Sequence, residues 1–377
     1  MVRNIPLFKI FWDEQDVTKV ASVIRSGMNW ATGPNVQEFE AQLAKYVGTR
    51  YAVTFNSGTS ALHAVLAACG IGKGDEVIVP SFTFIATANS PLFVGAKPVF
   101  AEIEGTTYGL DPKDVERRIS SKTKAIMPIH CGGSPCLITE LRKVAEQHRL
   151  LLIEDAAESL GASVDGKKVG TFGEAAMFSF CAPKVITTGE GGVIVTDSRD
   201  IYEHLKLVRS HGRVETQDYF STSQYLEHVM LGYNFRMSNI TAALGIAQLA
   251  KIDKIIEMRR GNASYLTEKL SAVKQITLPN VPDNFLHLYQ MYTIRVTGDQ
   301  KTRDKLMKYL NERGIGAKVY FYPVHLTKFY KDAFGYKGGE LPVTEKISQQ
   351  VLTLPMYPTL TKDEMDYMAS SVRDFFT

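Results

Sequence analysis

Lys184 stands in FSFCAPKVITTGEGG, after the apolar run AAMFSF at 175–180 and before GVIVTD at 192–197. It can be read simply as an exposed turn lysine. The segment is apolar before it and tightly turning after it, however, and a lysine partly buried in such a place loses proton affinity and becomes a usable nucleophile. Ser179, five residues upstream, offers a hydroxyl that can donate to an anion. Asp155 closes the apolar run LLIE in LLIEDAAESLGA. In an open α/β sheet ligands gather beyond the carboxyl ends of the strands. Asp155 therefore either caps the next turn or meets a cationic group of a ligand. In FNSGTSALH, the run YAVTF leads into Ser57-Gly58-Thr59-Ser60, and a helix begins. Free N–H groups at a helix N-terminus bind phosphate well.

Together the three segments supply a phosphate cup, a carboxylate and an amine on one sheet. That set matches pyridoxal phosphate: the cup for its phosphate, Asp155 for the protonated ring nitrogen, and Lys184 to hold the aldehyde as a Schiff base. The charged ring can then accept electrons from the bond being broken.

The elements that must position these residues are legible as alternating patterns. Residues 13–26 and 37–47 read as amphipathic helices on either side of the turn-like SGMNWATGPN. Apolar runs at 51–55, 76–79, 97–101, 124–129 and 151–154 read as strands, and 58–69, 83–93 and 138–149 as helices between them. Strands alternating with helices predict parallel βαβ units in an open α/β sheet. Residues 239–273 read as one long helix leading out of a large domain. YQMYTIRV, a helix near 300–313, AKVYFY and two late helices predict a smaller α+β domain, with the large domain at 1–245 and the small one at 246–377.

Composition excludes several classes. The 377 residues suggest two to three domains, and 45% hydrophobic with 22% charged residues is ordinary for a globular protein. Lys+Arg is 43 against Asp+Glu 40, a formal net charge of +3, and the basic pairs are isolated, which speaks against nucleic acid. No apolar run approaches the ~20 residues of a membrane span. The N-terminus has no secretory pattern. The four cysteines form no CxxC pair, which predicts a reduced, cytoplasmic protein. His130 with Cys131 and Cys136 fits no common zinc spacing, so no metal is expected.

Beyond these readings, the chain resembles the DegT/DnrJ/EryC1/StrS sugar aminotransferases from about residue 5 to 370. The resemblance is carried by SGMNWATGP, NSGTSALH, GDEVIVPSFTFIATAN, EDAAESLGA, GTFGEAAMFSFCAPKVITTGEGG, GYNFRMSNITAALGIAQL and GIGAKVYFYPVH. It implies the α/β fold of fold-type I PLP-dependent transferases (aspartate aminotransferase-like), with a large mixed-sheet domain and a small C-terminal α+β domain. It also implies roles for single residues. Lys184 matches the Schiff-base lysine, and Asp155 the partner of the ring nitrogen. Thr59, Ser60 and Ser179 match phosphate ligands, and Phe84 the aromatic residue stacked on the ring. Asn234, in GYNFRM, matches a phosphate ligand lent by the other subunit of a homodimer. His325 lines the substrate cleft or packs.

Lys184 argues against the dehydratases of this family, which carry histidine there. Glu158, near the cofactor, resembles the perosamine synthase branch, which aminates C4 of a nucleotide-linked 4-keto-6-deoxy sugar. Members that aminate C3 often carry Gln. The resemblance thus implies transfer of an amino group from glutamate to a nucleotide-linked 4-keto sugar, with a 3-keto sugar as the rival substrate. A non-catalytic regulatory protein of the same fold is the rival from another class. The chain departs from the family pattern at Cys131, Gly132 and Leu137, where many relatives have a bulky residue, a Tyr and an Asp. Cys181, where His, Asn or an aromatic is frequent, reads as a small core residue rather than a reactive thiol.

Overall fold

The computed structural model describes residues 4–214, 222–223 and 225–377. A seven-stranded sheet forms its centre, built from β1 Tyr51–Phe55, β2 Glu76–Pro80, β3 Lys97–Ala101, β4 Thr123–Ile126, β5 Leu151–Asp155, β6 Ala175–Ser179 and β7 Gly192–Thr196. The spatial order is β1-β7-β6-β5-β4-β2-β3. Strands β3, β2, β4, β5 and β6 run parallel, whereas β7 is antiparallel to both β6 and β1. The sheet is therefore mixed, and the carboxyl ends of β1, β2, β5 and β6 emerge on one edge.

Both faces of this sheet are covered, which is why its strands read as nearly continuous apolar runs. Successive side chains point to opposite faces. Val193 and Val195 join one buried cluster with Phe39 and Leu43, while Ile194 joins the other with Leu62 and Val65. The first face is packed by α2 Pro34–Val47 and later helices, and α1 Glu14–Ser26 lies outside them against the helix Asn239–Leu249. The second is packed by α3 Gly58–Ala68, α4 Ile85–Phe93 and, further on, α6 Arg199–Arg209, with α5 Ile138–His148 over a third cluster.

The expected long helix at 239–273 is two helices, α7 Asn239–Leu249 and α8 Ile252–Leu270. The break falls at Lys251, whose backbone leaves helical geometry (φ −117°, ψ 9°). Its buried ammonium reaches Asp13 and Asp16, 2.7 Å from each. A buried charge must be paired, and the kink carries this one to the start of α1.

After α8 a three-stranded antiparallel sheet follows, β8 Ile276–Thr277, β9 Tyr292–Val296 and β10 Val351–Leu354, in the order β8-β9-β10. Helices α9 Gln300–Glu312 and α10 Lys362–Phe376 cover it. The expected AKVYFY strand makes only a single bridge, Lys318 to Thr353. Three helices follow it, Lys328–Phe334, Pro342–Gln350 and α10, where two were expected. Near the N-terminus, Ile5 bridges to Ile315 and packs among the residues of this second core. No helix among the described residues is long and apolar enough to cross a membrane.

Candidate active site

The edge where β1, β2, β5 and β6 end opens into a cavity of about 370 Å³. Thr59, Phe84, Asp155, Glu158, Ser179 and Lys184 all line it. They arrive on four connections: Thr59 in the first turn of α3, Phe84 at the N-cap of α4, Asp155 at the end of β5 with Glu158 just beyond, and Ser179 at the end of β6 with Lys184 beyond.

The amine and the two carboxylates are tightly organised. Lys184 Nζ lies 3.2 Å from Glu158 Oε1, with the side chains only 16% and 7% exposed. That burial removes the reading of Lys184 as an exposed turn residue. The other oxygen of Glu158 accepts the Gly132 N–H at 2.8 Å. Asp155 is buried; its Oδ2 accepts from Thr87 Oγ1 at 2.7 Å and its Oδ1 from the Ala157 N–H at 3.1 Å. Asp155 therefore closes a local turn and also lines the cavity. Burial pushes its pKa up, against the pull of Thr87, Ala157 and Lys184.

The neighbouring Glu154 points away from the cavity into the protein and is fully buried. It accepts from His130 Nε2 at 2.9 Å and from the N–H groups of Gly170, Phe172 and Gly173 at 2.8, 2.8 and 2.9 Å. Burial alone would raise this carboxyl, but His130 and the amide donors outweigh it and hold it below its ordinary value. His130 Nδ1 in turn accepts the Cys136 N–H at 3.1 Å. The Glu154–His130 pair thereby ties the strand that presents Asp155 to the loop that presents Gly132.

At the end of β1, Ser57 caps α3: its hydroxyl accepts the Ser60 N–H at 3.0 Å, while the Ser60 hydroxyl accepts the Ser57 N–H at 3.2 Å. The N–H groups of Gly58 and Thr59, in the first turn, have no intrahelical partner. Gly192 makes this end accessible to β7. A Cβ there would sit 2.6 Å from the Ser57 carbonyl oxygen and 2.7 Å from the Gly58 nitrogen. Any larger residue would push β7, and Ser179 beside it, off the α3 terminus.

Three of the residues singled out from sequence lie elsewhere. The Ser60 hydroxyl is spent on its own turn and on Asn56 Oδ1, 2.6 Å away, and Ser60 does not line the cavity. His325 does not line the cavity: it is fully buried, with Nδ1 2.6 Å from Ser81 Oγ and Nε2 3.1 Å from Glu345 Oε1. Asn234 is exposed, and its carbonyl accepts from Asn56 Nδ2 at 3.3 Å. Cys181 is not a core residue either. It lines the cavity wall with Sγ 3.7 Å from Glu190 Oε1, and burial raises its pKa.

The chain matches the DegT/DnrJ/EryC1/StrS aminotransferase family over residues 12–373. It belongs to that family. It is 38% identical to the GDP-perosamine synthase of Caulobacter vibrioides over 91% of this chain and 90% of that one. It is 35% identical to the GDP-perosamine synthase of Vibrio cholerae over 99% of each. A Streptococcus pneumoniae protein solved in a PLP form superposes with a TM-score of 0.93 at 27% identity, covering 99% of this chain and 98% of that one. The fold is that of the PLP-dependent sugar aminotransferases, and the enzyme's cofactor is pyridoxal phosphate.

The aminotransferase cavity also contains residues that sequence reasoning did not single out. Thr87 reaches Asp155 from α4. Gln290 donates to the Pro183 carbonyl next to Lys184, and its own Oε1 is buried without a partner among the described residues. Met291, Tyr320 and Phe321 close the side toward the small sheet. None of these stands in a motif with a chemical signature; they come from segments brought over by tertiary packing. Thr87 had a signal in its place one helical turn after Phe84 in SFTFIAT, and Tyr320 and Phe321 in theirs within GIGAKVYFYPVH.

Proposed function

We propose that this aminotransferase moves the amino group of glutamate onto C4 of a nucleotide-linked 4-keto-6-deoxy sugar, as a perosamine synthase does. The observation that carries the proposal is the Lys184–Glu158 pair lining one cavity with Asp155. The perosamine branch is supported by Glu158 and by the two GDP-perosamine synthases at 35% and 38% identity.

The residues present fit pyridoxal phosphate. Phe84 is 60% exposed, an aromatic face left uncovered on the cavity wall and available for stacking. The unpaired amides of Gly58 and Thr59, with the Thr59 and Ser179 hydroxyls, would hold the phosphate. Asp155 would hold the proton on the ring nitrogen. Its buried carboxylate gains from a cationic partner what burial takes away. When bound, the cofactor supplies an electron sink for the carbon that carries the amino group.

The chain's own residues then do the rest. Lys184 Nζ takes the proton from the amino-bearing carbon of glutamate and returns it on the cofactor side; with the keto sugar it works in the opposite direction. Glu158, fixed by the Gly132 N–H, keeps Nζ in reach during both halves. Met291, Tyr320 and Phe321 limit access of water. Asn234, exposed on its own subunit, would reach the phosphate of a partner in a homodimer.

The deciding experiment incubates the holoenzyme with glutamate and GDP-, UDP- and dTDP-linked 4-keto-6-deoxy sugars, with 3-keto sugars in parallel, and reads the product by NMR. An amino group on C4 is the expected result. One on C3, or no turnover of any 4-keto sugar nucleotide, overturns the proposal.

A further inference from the structure

A second cavity, of about 200 Å³, adjoins the first across Met291 and Tyr320, which line both. Cys131 and Gly132 form part of its wall. Gly132 lines the second space, and its N–H holds Glu158 of the first. Its backbone is left-handed at φ +64°, and a Cβ there would lie 3.6 Å from Met291. A larger side chain at this position would therefore grow into the wall between the cavities.

Arg295 carries the charge of this second space. No acidic residue lines it, and burial drives His287 down to about 3, so that ring is neutral. The guanidinium donates to Gln350 Oε1 at 3.0 Å and to the Gly105 carbonyl at 3.5 Å. Its Nε is buried without a partner, and it forms no ion pair among the described residues. Glu104, in the adjoining loop, keeps its charge but turns its oxygens to the Thr106 N–H at 2.6 Å, the Thr107 N–H at 2.8 Å and the Thr107 hydroxyl, and does not line the cavity. A planar guanidinium on a cavity wall without a counter-ion matches carboxylate or phosphate oxygens. Thr106, Asn280 and Tyr320 add neutral polar groups around it.

We propose that the second cavity is the anion pocket of the substrate site. It receives carboxylate or phosphate oxygens of a substrate whose reacting carbon lies at Lys184, with Arg295 as their counter-charge. This rests on the amino-transfer reading of the first cavity. Two substrates present such oxygens, the amino donor through its carboxylates and the sugar nucleotide through its diphosphate.

The test uses the holoenzyme and two probes. Glutamate alone is titrated while the change in cofactor absorbance is followed, and GDP, UDP and dTDP are titrated by calorimetry. Arg295→Gln should weaken one of the two by about tenfold or more, the cost of a charge-assisted contact, and Arg295→Lys should recover part of it. A loss with glutamate assigns the pocket to the carboxylate, and a loss with the nucleoside diphosphates to the phosphate. Thr277 is exposed and pairs directly with Arg295 across β8 and β9. Thr277→Trp therefore covers the guanidinium without touching the core, and should reproduce the loss if Arg295→Gln does not fold. If properly folded variants bind both probes as the parent does, the proposal is overturned. If the parent itself does not react with glutamate, the amino-transfer reading fails, and the calorimetric arm still decides the pocket.

Discussion

Glu158 bridges Lys184 Nζ, 3.2 Å from one oxygen, and the Gly132 N–H, 2.8 Å from the other. One carboxylate at the β5 end thus sets the amine's position and is itself fixed from the Gly132 loop, which belongs to neither the β6 turn nor β5. The pair also links the two cavities, because Glu158 lines the first and Gly132 the second. Substitutions around this point separate chemistry from scaffolding.

Lys184→Ala should abolish turnover. It should also abolish the adduct that borohydride fixes in the parent, which peptide mapping would find on Lys184. Pyridoxyl recovered on another lysine would refute the assignment.

Asp155→Asn should slow the chemical step while the phosphate cup retains the cofactor, as single-turnover rates and cofactor absorbance would report. Stability should move differently. A buried carboxyl whose folded pKa is raised favours the folded state in its protonated form. Its contribution falls as pH climbs from the ordinary value of 3.8 through the raised one. At neutral pH the cofactor-free Asp155→Asn protein should therefore melt no lower than the cofactor-free parent. A clearly lower melting temperature would contradict this.

Glu154→Ala should destabilise the protein by about 3–5 kcal/mol, because it strips a fully buried carboxylate from His130 and three amide donors. Here the sign is opposite to that of Asp155. The folded pKa is lowered, so the stabilisation is present above the ordinary value of 4.5 and is lost as pH falls toward the lowered one. Thermal melts of parent and variant should converge in that acid window. An unchanged gap there would show that Glu154 acts only through packing.

Mixing Lys184→Ala with Asn234→Ala subunits under exchange should restore activity. Each mixed dimer would contain one site with both residues intact. Confirmed exchange without recovered activity would rule out a shared site.

Most of the residues that meet in the first cavity were legible before the fold because each part is a local pattern. An apolar run ending in Asp155, a small-residue turn before α3, and a lysine between β6 and a glycine-rich turn each occupy about ten contiguous residues. Strand and helix periodicities likewise need only near neighbours, and seven large-sheet strands follow from them. The long apolar stretch at 239–273 misled for the same reason. Its periodicity is helical throughout, whereas the break depends on Asp13 and Asp16, more than two hundred positions away. His325 and Ser60 carried family signals, but their hydroxyl and ring contacts are set by what packs against them. Only the tertiary structure could decide the Glu154–His130 tie, the arrival of Gln290 at the Lys184 turn, and the cavity at Arg295. Sheet register and domain packing bring these residues together, and such contacts leave no period, spacing or composition in the chain to be read.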